Sequence, residues 1–65
     1  MLENGLMEPW VSMREICAYL DTNRFTVTKW IETKSMPAVR IGRLWKFKIS
    51  EVDVWVRAGG ASETQ

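Results

Sequence analysis

A mainly α domain with one small β-hairpin, in the order α-α-β-β-α, is the fold class that this 65-residue sequence predicts. Three observations predict it. Apolar residues recur at helical spacing from Met13 to Leu20 and again after Asn23, with only the polar Asp21-Thr22-Asn23 between the two stretches. Two β-like runs, Ala38 to Ile41 and Leu44 to Ile49, flank Gly42-Arg43, a pair suited to a tight hairpin. A third helical stripe, Val52, Trp55 and Val56, follows immediately.

The first helix is placed at about Met13 to Leu20. Ser12 and Glu15 have capping-box spacing, the Ser oxygen accepting from the Glu15 N–H while the Glu side chain reaches back. Val11 and Ile16 stand at the staple positions, and Met13, Ile16, Cys17 and Leu20 form the apolar stripe. After the break, Asn23 suits the N-cap of a second helix, so the chain reads helix, short turn, helix. On that second helix Val27, Trp30 and Ile31 share one face. The opposite face collects Phe25, Lys29 and Glu32, with Arg24, Thr26 and Thr28 on its flanks. Such a face has donors for phosphates and base edges and a ring for thymine methyls. An ordinary solvated amphipathic face has the same pattern.

Pro37 ends the second helix, because the residue before a proline is pushed away from the helical region. Alternation in the second β-run places Trp45, Phe47 and Ile49 on a packing side and Leu44, Lys46 and Lys48 on a mostly cationic one. Lysines on a hairpin also serve simply to protect an edge. Ser50 and Asp53 have capping-box spacing at the start of the last helix, and Glu51 and Asp53 suit its positive dipole end. Residues 1–9 read as a flexible lead, 10–57 as the folded domain and 58–65 as a flexible tail. Trp30, Trp45 and Trp55 are expected in the core, with Trp10 pinning the lead against it; the four Met show no pattern.

A chain this short buries only about 60% of its unfolded surface, so its core must be dense. Its seven aromatic residues supply that density, at roughly 150–250 Å² each. One Cys forbids an internal disulfide and the absence of His leaves no multi-ligand zinc site, so no metal or other cofactor is expected. With the Cys on an apolar stripe, and no Gly-rich phosphate loop or carboxylate cluster, an enzyme is not the expected reading. The apolar runs are too short to span a bilayer, and the first residues lack the pattern of a secretory signal, which points to a cytoplasmic protein.

Charge is the remaining clue. From Asn23 to Lys48 there are seven cations against Glu32 alone, a net +6; the rest has two cations against seven anions, a net −5. A near-neutral total thus conceals one basic region that suits a polyanion. A protein-binding adaptor would not need that gathering of charge, and RNA binding would call for an aromatic stacking platform that the basic stretch does not show.

From Trp10 to Val56 the chain resembles the excisionase family of small helix-turn-helix proteins, which have a MerR-like winged-helix fold. The resemblance rests on Trp10-Val11-Ser12, Glu15, Tyr19-Leu20, Thr26-Val27, Trp30, Met36-Pro37-Ala38, Arg40, Gly42, Trp45-Lys46-Phe47, Asp53 and Trp55-Val56, in one uninterrupted register. It implies a winged helix-turn-helix that binds double-stranded DNA. Arg24, Phe25, Thr26, Thr28 and Lys29 would face the major groove, and Arg40, Arg43 and Lys46 would act from the wing, with Lys48 grouped beside them. It further implies either a recombination directionality factor, working with an integrase, or a small prophage transcriptional regulator in a bacterial or phage setting. No long dimerisation helix is evident, so a monomer that binds neighbouring sites side by side is expected. The sequence departs from the family at Asp21-Thr22-Asn23, which replaces the usual Gly-x-Ser turn, and at Phe25, where a small polar residue is usual. Lys34 takes the place of a helix-ending Gly and is expected in the left-handed region.

Overall fold

The computed structural model describes residues 8–62. In chain order these form β1 (Val11–Ser12), α1 (Met13–Leu20), α2 (Arg24–Thr33), β2 (Val39–Ile41), β3 (Leu44–Phe47) and α3 (Ile49–Arg57). The three predicted helices and the hairpin are all present, in a winged helix-turn-helix arrangement. The addition is β1. It pairs antiparallel with β3, Val11 opposite Phe47 and Ser12 opposite Lys46, so the hairpin becomes a three-stranded sheet in the order β1-β3-β2.

Local chemistry explains each boundary of the helical pair. Ser12 Oγ accepts from the Glu15 N–H at 3.1 Å and Glu15 Oε1 accepts from the Ser12 N–H at 2.8 Å, the capping box expected of this spacing. Asp21 closes α1 in the left-handed conformation (φ 56°), its N–H donating to the Ala18 carbonyl. Asn23 is extended, and its Oδ1 caps α2 by accepting from the Thr26 N–H at 2.8 Å. At the far end the left-handed residue is Ser35 (φ 58°), not Lys34 (φ −127°). The Lys34 N–H still donates to the Trp30 carbonyl, and the Met36 N–H returns to the same oxygen, so the chain reverses one residue later than expected. That reversal brings Met36 into the core, a placement its isolated position in the sequence does not signal.

Ile16, Val27, Met36, Phe47 and Val52 form the buried centre, drawn from all three helices, β3 and the α2–β2 connection. Trp30, Trp45 and Trp55 pack against it, half-buried. Trp30 and Trp55 meet edge to face at 5.7 Å, and Trp55 Nε1–H donates to the Lys34 carbonyl at 2.9 Å. Trp10 is the exception to the expected aromatic core, remaining 42% exposed. Val11, paired with Phe47, takes the inward place, and the Trp10 ring lies at the rim under the Lys48 ammonium, 4.6 Å from its centroid.

The capping box expected from Ser50 and Asp53 does not form. Helix α3 starts one residue earlier, with Lys48 extended at the N-cap position and making no side-chain bond there. Ser50 therefore lies inside the first turn, where a backbone N–H lacks a helical partner. The Glu8 carboxylate supplies one, accepting from both the N–H and the hydroxyl of Ser50. These two bonds hold the Glu8 carboxyl below its ordinary range. Asp53 pairs instead with Arg57 at 2.9 Å. Residues 1–7 and 63–65 of the predicted lead and tail lie outside the described part. Within the tail, the Gly60 N–H donates to the Trp55 carbonyl, and the Lys34 ammonium donates to the Ser62 carbonyl at 3.2 Å.

Candidate nucleic-acid interface

Helix α2 presents the expected face. Val27 is fully buried and Trp30 and Ile31 turn to the core, leaving Arg24, Phe25 and Lys29 outward with Phe25 78% exposed. Thr26 and Thr28 stand half-buried on the flanks. The Phe25 ring is thus open to solvent and takes no part in the core.

The hairpin departs from its expected division. Val39 pairs with Lys46, Arg40 with Trp45 and Ile41 with Leu44, and directly opposed residues share a sheet face. Val39, Ile41 and Leu44 thus surround Lys46 on a face that is more apolar than cationic, all three largely exposed. Arg40 lies on the other face, its guanidinium 4.9 Å from the centre of the Trp45 ring. Gly42 supplies the positive φ (66°) at the first loop position, and Arg43 completes the tip. Lys48 has left the strand and sits over Trp10.

Between the start of α1, the start of α2 and the hairpin lies a cleft of about 350 Å³. Arg24, Arg43 and Lys46 line it, joined by Arg14 of α1 over apolar walls from Met13, Leu44 and Trp45. The nine cations of the chain accordingly fall into two groups. Lys34, Arg40, Lys48 and Arg57 are engaged by the protein itself, on a carbonyl, two indole rings and a carboxylate. Arg14, Arg24, Lys29, Arg43 and Lys46 make no hydrogen bond or ion pair among the described residues, and four of these five line the one cleft. Arg14 was missed by sequence reasoning because it precedes the basic stretch by nine residues. The β1–β3 pairing that sets the start of α1 beside the hairpin is what brings it in.

Hydrogen bonds from Ser12 hold the Glu15 carboxyl below its ordinary range, with the charge of Lys46 adding to the effect. Burial pushes the Cys17 thiol up, against the opposing charge of Arg24. Among the described residues no helix is long and apolar enough to cross a membrane.

A family model described as a helix-turn-helix domain matches residues 10–60. Neither a curated protein nor a solved structure matches the chain. The matched segment runs from the rim residue Trp10 past the end of α3, and so takes in both helices of the pair, the hairpin and the cleft between them. The chain belongs to this helix-turn-helix family of small, excisionase-like DNA-binding domains.

Proposed function

We propose that this protein binds a specific duplex DNA sequence, with α2 in the major groove and the β2–β3 hairpin on the flanking backbone or minor groove, and that it acts as an excisionase-like recombination directionality factor of a mobile element. The observation that supports this most directly is the set of five cations that make no hydrogen bond or ion pair among the described residues, gathered along α2 and the cleft beside the hairpin. Phosphate contacts from such a set position a protein on DNA, whereas base edges in the major groove, within reach of Phe25, Thr28 and Lys29, give it a sequence. Arg40 and Lys48, stacked on indole rings, are the lesser members of the wing in this reading. The protein is a monomer in solution, meets an integrase and neighbouring copies of itself on DNA, and works on the bacterial nucleoid.

With about four or five phosphate contacts, log K for duplex binding falls against log salt with a slope of about −4. Fluorescence anisotropy over a range of salt concentrations measures that slope, and a value near zero overturns the reading. The biological role is tested separately, with the integrase of the element and plasmids carrying its attachment sites. Addition of the protein should favour excision over integration. Specific DNA binding without any change in recombination would assign it instead to transcriptional control.

A further inference from the structure

The cleft has a geometric consequence for bound DNA. Arg24 stands at the first turn of α2 and Arg43 at the hairpin tip, yet both line the same cavity. On a duplex the ridge that separates the major groove from the minor groove is a sugar–phosphate strand. A domain that sets α2 in one groove and its hairpin towards the other must therefore seat that strand between them. The cleft offers what such a strand needs. It has cations at its margin for phosphate oxygens and an apolar wall of Met13, Leu44 and Trp45 against which deoxyribose can pack.

On this basis we infer that Arg14 of α1 is a DNA-backbone-binding residue, which closes the cleft on the sugar–phosphate strand from the side facing the hairpin. It rests on the duplex-binding reading above and adds a contact that comes from outside both the recognition helix and the wing. Arg14 is exposed, lies off the apolar stripe of α1 and makes no hydrogen bond or ion pair among the described residues. Its guanidinium is free to take a phosphate bidentately, and because phosphates are the same at every step the contact is blind to sequence.

The test compares the parent protein with Arg14→Ala, Arg14→Lys and Arg43→Ala by anisotropy, on a selected site and on a random duplex, from about 0.1 M salt upward. Loss of one phosphate contact should lower the salt slope by about one, which is about an eightfold loss of affinity at 0.1 M salt that disappears on extrapolation to 1 M. Arg14→Ala should show this loss equally on both duplexes with an unchanged melting temperature, and Arg14→Lys should recover most of it. Parental affinity and slope in Arg14→Ala, beside a weakened Arg43→Ala, overturns the role of Arg14 alone. So does a loss confined to the selected site. Absence of salt-dependent binding by the parent overturns the duplex reading itself and this inference with it.

Discussion

Around Trp55 the chain satisfies itself. The indole N–H bonds the Lys34 carbonyl, the ring meets Trp30 edge to face, and Gly60 lies so close that a Cβ there would stand 2.2 Å from the indole nitrogen. Around Arg24 it does not. Four cations line an open cleft with no anion or carbonyl bound to any of them among the described residues, and the Phe25 ring stands exposed next to Arg24 on α2. In so small a domain the comparison teaches that, on the proposed reading, packing and recognition are kept in separate places. Groups in the first region answer to stability and groups in the second to affinity, so substitutions should sort cleanly between a melting curve and a binding curve.

Trp55→Ala tests that separation hardest. It removes a large packed ring and leaves the Lys34 carbonyl without its donor, at a cost of about 3–5 kcal/mol. Small domains have about 5–15 kcal/mol in all, so circular dichroism should show a domain largely unfolded or melting far lower. A well-folded variant that had lost only DNA affinity would place this ring at the interface and break the comparison. Phe25→Ala and Thr28→Ala should do the reverse. Binding to the preferred site falls by about 1–3 kcal/mol per lost base contact, with discrimination relaxed at one or two positions and the melting temperature unmoved. Arg43→Ala should weaken specific and random duplexes alike and take about one from the salt slope. If site selection with Arg43→Ala returned a new sequence while the α2 variants kept the parent's preference, the roles of reader and clamp would be exchanged.

The smallest effect probes the join between the two regions. Ser12→Ala removes the N-cap of α1 and should cost about 1 kcal/mol in thermal or denaturant unfolding. The cap also has a pH signature. Because Ser12 holds the Glu15 pKa below its unfolded value, the contribution is complete above the ordinary Glu range and is lost as pH falls through the lower, folded value. The bond from the Ser12 N–H to Glu15 survives in Ser12→Ala, so the signature belongs to Glu15→Gln: the stability gap between the parent and that variant should narrow in acid, below the usual Glu titration. A gap that stayed constant down to the lowest pH would show that the carboxylate takes no part in the cap.

The helices were legible because their signals are local. Ser12 with Glu15, and Asn23 before Thr26, act within one turn, and the apolar stripes on α1 and α2 have a period that a sequence displays. The features that escaped are set by distant partners. A two-residue strand has no alternation to read, so β1 became visible only in its pairing with β3. Ser50 is capped by Glu8 from 42 positions away, which no local spacing can announce. The outward face of the hairpin was misjudged for the same reason. Alternation along β3 correctly set Leu44 beside Lys46, but only the register shows that Val39 and Ile41 stand next to them and make the face largely apolar. The outward residues of α2 were all available from helical phase, whereas Arg14 joined the cleft through strand pairing.

Ser12 occupies two structures at once, as the cap of α1 and as the β1 residue opposite Lys46. One residue thus welds the helical pair to the hairpin, and the gape between α2 and Arg43 is set when the chain folds. Preorganisation of this kind removes from association the entropy of ordering a loose wing, which otherwise opposes binding by roughly 0.5–1.5 kcal/mol for each side chain immobilised. On the proposed duplex-binding reading, a jaw set in this way would make encounter a matter of orientation and long-range attraction rather than of conformational search.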